Sequence, residues 1–205
     1  SFDYRQHIQD APDPIYCTRY EPYLFHGYKL GDAAELIRGE LHAYCVPDNR
    51  YYTLDLLNRK KKEGEADGDL RVAFTRPKDV KERTPSAWSV ELVAANGGLI
   101  ETEAPFMYVA PVDGYSSSWK LDIDPKSPRW NRSMQSEVNK KFYLKSRAGS
   151  VYGRLEVQFI PFWKEESRIK VSYWLNPAGS TNLQFDYDKQ ITRQEWQERQ
   201  QVRTK

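Results

Sequence analysis

Cysteine is nearly absent: two thiols, Cys17 and Cys45, in 205 residues. That excludes a disulfide-dense scaffold. The pair can bridge if the protein is exported. Otherwise they are two small buried apolar side chains. Histidine is scarce as well. His7, His26 and His42 lie in the first fifth of the chain in no metal-ligand spacing. His42 and Cys45 are three apart, but no second pair completes a zinc set. No apolar run approaches the ~20 residues that span a bilayer. Charge of one sign is missing too: 31 Lys and Arg against 29 Asp and Glu leave a formal net charge of +2. The cations are interleaved with carboxylates, so no basic stripe marks a nucleic-acid partner.

Catalytic signatures are also missing. There is no Gly-x-Ser-x-Gly elbow, and the run Ser116-Ser117-Ser118 reads as a solvated loop. Glycosidase chemistry needs two carboxylates at a set separation across a cleft. With 29 acidic residues, no pair stands out. Glu65, Asp67 and Asp69 around Gly68 have the alternation of a calcium loop but lack the bidentate Glu of an EF-hand. Asp113, Asp122 and Asp124 offer a second oxygen set. Structural calcium is the one cofactor to consider, and solvated loop carboxylates are the plainer account.

What is present is aromatic and alternating. Tyr occurs 14 times and Trp six, a bias that suits half-buried strands. Val151, Gly153, Leu155, Val157 and Phe159 share one face of an extended segment, with Tyr152, Arg154, Glu156 and Gln158 opposite. After a polar turn, Ile169, Val171, Tyr173 and Leu175 repeat the pattern, with Lys170, Ser172, Trp174 and Asn176 opposite. Period two predicts strands with one dry and one wet face, here paired as a hairpin.

Further strands are expected at 41–46, 51–57, 70–75, 87–95, 99–102, 106–110, 119–123 and 182–187. Asn96-Gly97-Gly98 reads as a hairpin turn, and Asn176-Pro177-Ala178-Gly179 as a type I turn. Asp32–Arg38 reads as a two-turn helix, capped by Asp32, supported by Glu35 and closed by Gly39. Thr192–Arg203 reads as a second helix, with Thr192 and Glu195 as its capping box and Trp196 as its main apolar anchor. Ser1–Glu21 reads as an extended arm. Residues 59–69, with Lys60–Lys62, read as a solvated charged loop. Residues 124–140 read as a long loop, and 131–133 match a glycosylation sequon.

The expected fold is mainly β: an antiparallel β-sandwich, Ig-like or jelly-roll-like, over residues 1–190, with a helical segment at 191–205. Gly68-x-Leu70-x-Val72-x-Phe74 echoes Gly153-x-Leu155-x-Val157-x-Phe159. Two related units, about 40–110 and 118–190, would account for the echo; so would any two amphipathic strands.

The wet face of the hairpin carries the binding expectation. Trp174 is expected opposite Glu156 or Gln158, with Arg154 and Tyr152 nearby, and Trp130 is a second candidate for an exposed ring. A flat ring among amide, carboxylate and guanidinium groups suits a sugar. The alternative is that Trp174 is covered. In its aromatic, loop-rich cast the chain resembles accessory β-sandwich domains of bacterial surface or periplasmic proteins. That resemblance implies export to the periplasm or cell exterior. The leading expectation is a non-catalytic module that binds carbohydrate. A structural domain contacting another protein through a sheet edge or the C-terminal helix comes second, and a polysaccharide-acting enzyme third.

Overall fold

A computed structural model describes residues 33–64, 67–77, 80 and 84–203. Ten strands form two five-stranded sheets. They are β1 (Ile37–Cys45), β2 (Tyr52–Asp55), β3 (Lys60–Glu63), β4 (Leu70–Thr75), β5 (Trp88–Ala94), β6 (Gly98–Thr102), β7 (Ser118–Ile123), β8 (Val138–Ser146), β9 (Val151–Trp163) and β10 (Glu166–Asn176). Two helices, α1 (Ser133–Ser136) and α2 (Arg193–Arg203), complete the elements used below. The first sheet runs β1-β10-β9-β8-β6 and the second β3-β2-β4-β5-β7, with every strand pair antiparallel. The expected β-sandwich is the fold.

The core lies between the sheets. Leu155, Val157, Phe159, Ile169, Val171, Tyr173 and Leu175 are buried there, against Leu70, Val72, Phe74, Val90 and Leu92. Trp119 joins the layers, edge-on to Phe142 and stacked on Phe159 with centroids 5.5 Å apart. Each buried large aliphatic side chain contributes about 1.5–3 kcal/mol. The echoed segments fall on β4 and β9, the middle strand of each sheet. Their terminal Phe74 and Phe159 meet edge to face, with centroids 6.3 Å apart.

Several local expectations change. The helix at 32–38 is not formed where the chain is described. Ala34 makes a bridge to Phe185, and β1 begins at Ile37. Pairing with β10 from Ile37↔Leu175 to Cys45↔Ser167 outweighs the local capping signal, because it buries Ile37, Leu41, Ala43 and Cys45 on one side. Gly39 is not a helix cap. It faces Tyr173 across the pair, and a Cβ there would collide with the phenol. Asn96-Gly97-Gly98 is a tight turn but not a hairpin, since β5 and β6 belong to different sheets. The charged loop contains β3, an exposed edge strand. Residues 106–110 and 182–187 contribute only isolated bridges, Val109↔Asn182 and Ala34↔Phe185.

The long 124–140 segment is pinned rather than loose. Trp88 Nε1 donates to the Met134 carbonyl at 3.1 Å, and Ser86 N donates to Oε1 of the buried Gln135 at 3.1 Å. At the C-terminal end, Glu195 accepts from Thr192 N at 2.6 Å while Glu195 N donates to Thr192 Oγ1 at 3.2 Å, as a capping box does. Trp196 packs onto the core. The arm expected at Ser1–Glu21, together with His7, Cys17 and His26, lies outside the described residues. Among the described residues no helix is long and apolar enough to cross a membrane.

Candidate functional site

Cross-strand register arranges the outer face of the first sheet into rows. One row is Arg38–Trp174–Arg154–Tyr143. The next is Glu40–Ser172–Glu156–Lys141, and the next His42–Lys170–Gln158–Asn139. Tyr44 and Arg168 continue the series toward the β9–β10 turn. Trp174 therefore stands opposite Arg154, not Glu156 or Gln158. The register is set at the turn, where Lys164 takes φ 56° and the pairing slips between Glu166 and Arg168. The extra residue falls on β9 next to Pro161, which has no N–H to pair.

Trp174 is not a bare platform. The Arg154 guanidinium sits 4.4 Å from its ring centroid and that of Arg38 5.7 Å. Tyr152 is buried with Met107, Ala110, Tyr143 and Leu183 in a small cluster at one end of this face. Trp130 packs on the main core and is not an exposed ring. Glu156 and Gln158 do face outward. With Asn139, Lys141, Lys170 and Ser172 they line a groove of about 350 Å³. Gln158 is held by a bond to Glu137 Oε2 at 2.9 Å.

Two exposed rings beside the β9–β10 turn escaped the sequence analysis. Trp163 and Tyr44 are each 38% exposed. The Arg168 guanidinium lies between them, 5.0 Å from the Trp163 centroid and 5.9 Å from that of Tyr44. Tyr44 was legible, since Glu40, His42 and Tyr44 alternate with Leu41, Ala43 and Cys45. Trp163 was not, because it follows the slip at Pro161.

Beside the rings, the polar groups are ordered by ion pairs. Lys170 Nζ lies 2.8 Å from Glu40 Oε2, and His42 Nε2 lies 2.5 Å from Glu40 Oε1. Arg168 meets His42 Nδ1 at 2.9 Å. A guanidinium only donates, so Nδ1 accepts and Nε2 carries the proton toward Glu40. The bond from Lys170, helped by His42, holds the Glu40 carboxyl down at about 2. A general acid needs the opposite shift. Among the described residues the carboxyls of Glu40, Glu101 and Glu195 all shift downward.

A second concavity of about 340 Å³ is lined by Asp55, Asp67, Asn96 and Arg147. Arg147 bridges two carboxylates beside it. Asp69, fully buried, accepts from Arg147 Nε, Ser146 Oγ and Leu56 N, each at 2.9 Å, and Arg147 also reaches Asp55 at 3.0 Å. Asp55 belongs to β2 and Ser146 to β8, so this network ties the two sheets together. Arg147, Ala148 and Gly149 all take positive φ to present the guanidinium.

Glu65 of the first calcium set lies outside the described residues; among the described residues no group of three His, Cys, Asp or Glu side chains could hold a metal ion. Asp122 pairs with Lys120 at 3.0 Å, and Asp124 Oδ1 accepts from Lys126 N at 2.9 Å. Cys45 is a buried free thiol whose pKa burial pushes up to about 12. Compared with models of protein families, with curated proteins and with solved structures, the chain matches none.

Proposed function

We propose that this is a non-catalytic carbohydrate-binding module of an exported protein, and that its ligand lies along the outer face of the first sheet. The observation carrying this reading is the juxtaposition of the exposed rings Tyr44 and Trp163 with the polar groove of Glu156, Gln158, Lys170 and Ser172. Residues two apart along a strand are about 6.6–6.8 Å apart, so Arg168, Lys170 and Ser172 step from the rings into the groove. The rings supply the apolar face a pyranose stacks on, and the groove supplies donors and acceptors for its hydroxyls. The downward shift of Glu40 favours binding over acid catalysis.

Affinity electrophoresis through gels containing soluble neutral and acidic polysaccharides tests the proposal. The chain is expected to be retarded by at least one of them. Trp163→Ala is expected to weaken retention at least tenfold, the loss of about 1.4 kcal/mol or more. Retention of Trp163→Ala equal to wild type, or no retention by any polysaccharide, would sink it.

A further inference from the structure

The row beside the groove carries two cations that make no ion pair among the described residues. Arg38, Trp174 and Arg154 are cross-strand neighbours on β1, β10 and β9. Both guanidinium groups approach the same indole. Arg38 is also flanked by Phe185 and Tyr187, each with its centroid 5.8 Å away, and its side chain donates to the Tyr187 hydroxyl at 3.4 Å. Among the described residues no carboxylate lies within ion-pair distance of either arginine. Among the described residues, Arg154 Nε is buried with no acceptor. Of the cations lining the groove, Lys170 is tied to Glu40 and Lys140 to Glu101, while Lys141 makes no ion pair among the described residues.

A guanidinium offers five donors, and a desolvated donor left unmade costs free energy. Two such groups on one ring also repel each other. An oxyanion bound beside the ring offsets that repulsion and accepts hydrogen bonds from the guanidinium N–H groups within its reach. We propose that Arg38 and Arg154, stacked on Trp174, form a subsite for an anionic substituent, a carboxylate or sulfate group, on the bound saccharide. The subsite adjoins the groove, because Arg154 precedes Glu156 and Trp174 follows Ser172 by two residues on the same face. This rests on reading that face as a carbohydrate surface, and it narrows the ligand to an acidic glycan.

The full chain would be titrated at 150 mM NaCl with dextran, carboxymethyl-dextran, dextran sulfate and, as a carboxylate polymer without sugar, polyacrylate. Wild type is expected to bind one of the charged dextrans at least tenfold more tightly than dextran. Whichever it prefers identifies the anion as carboxylate or sulfate. Arg154→Gln is expected to lose at least tenfold of that affinity and Arg38→Gln several-fold. Arg129→Gln, the same charge change on an exposed loop, is expected to lose less than twofold. Arg38 is exposed, so its variant reports on the subsite even if Arg154→Gln folds poorly. Charged dextran bound in preference to polyacrylate, with loss in the arginine variants, supports both the subsite and the sugar surface. Equal binding of polyacrylate and charged dextran, with the same losses, keeps the subsite and removes the sugar reading. Equal losses in the Arg38, Arg154 and Arg129 variants, or equal binding of charged and neutral dextran, overturns the subsite.

Discussion

Arg147 shows how one side chain holds the two layers at one end of the sandwich. Its partner Asp69 has no exposure to water, so the carboxylate depends on the guanidinium, on Ser146 and on the Leu56 amide. Arg147→Ala leaves a buried charge without its counterion and is expected to cost about 3–5 kcal/mol. Urea unfolding measures this; a loss below about 1 kcal/mol would refute the assignment. Glu40 gives a pH prediction. Its carboxyl is depressed from 4.5 to about 2, chiefly by Lys170. The stabilisation is therefore complete above about pH 4.5 and is lost as pH falls through about 2. Glu40→Gln is expected to flatten the melting temperature between those pH values relative to wild type. Cys45, with its thiol pushed up to about 12, carries essentially no thiolate at pH 8. Mass mapping after iodoacetamide treatment is expected to find its peptide modified only once the protein is unfolded.

Turns and edges decide how the elements are joined. Gly97 passes so close to the Lys145 carbonyl that a Cβ would fall inside contact distance of that backbone oxygen, and Ala148 N donates to the Asn96 carbonyl at 2.8 Å. The chain uses this turn to leave the second sheet and enter the first. Gly97→Ala is expected to destabilise the fold by about 2–3 kcal/mol, since backbone rather than a flexible side chain must yield; equilibrium unfolding measures it. At the opposite edge, Lys60–Glu63 is a short exposed strand rich in lysine, a pattern that discourages pairing with another chain. Lys61 also donates to the Tyr44 carbonyl at 2.7 Å and Arg59 to the Arg38 carbonyl at 3.2 Å, so cations from the second sheet occupy the open edge of β1. Replacing Lys60, Lys61 and Lys62 by Thr, Val and Thr is expected to raise concentration-dependent association in light scattering. Unchanged scattering would argue against a guarding role.

At the scale of the molecule, α2 closes the sandwich rather than projecting from it. Ile191 is buried and Trp196 packs on the core, while Arg193 bonds Asn58 at 3.0 Å and Arg199 pairs with Glu35 at 2.6 Å. Ending the chain after Gln190 is expected to cost about 1–2 kcal/mol from uncovered apolar surface, or about 3–6 °C in melting temperature. No change in scattering mass is expected. A drop from a larger species to monomer would instead make the helix an assembly element.

Period two in Leu155–Phe159 and Ile169–Leu175 was enough to assign strands, faces and a sandwich, because burial of alternate side chains is a local property of an extended chain. The capping box at Thr192 and Glu195 was legible for the same reason: donor and acceptor lie three residues apart. The helix expected at 32–38 failed because its signal was equally local, while the deciding contacts with β10 lie more than 130 residues away. Nor could sequence place Trp174 against Arg154, bury Tyr152, pack Trp130 on the core, or expose Trp163. Those outcomes depend on a one-residue slip at Pro161 and on segments distant in sequence that fold over one end of the first sheet. Side-chain chemistry is written in the chain, but which groups become neighbours is decided by strand register, and register is a property of the assembled sheets.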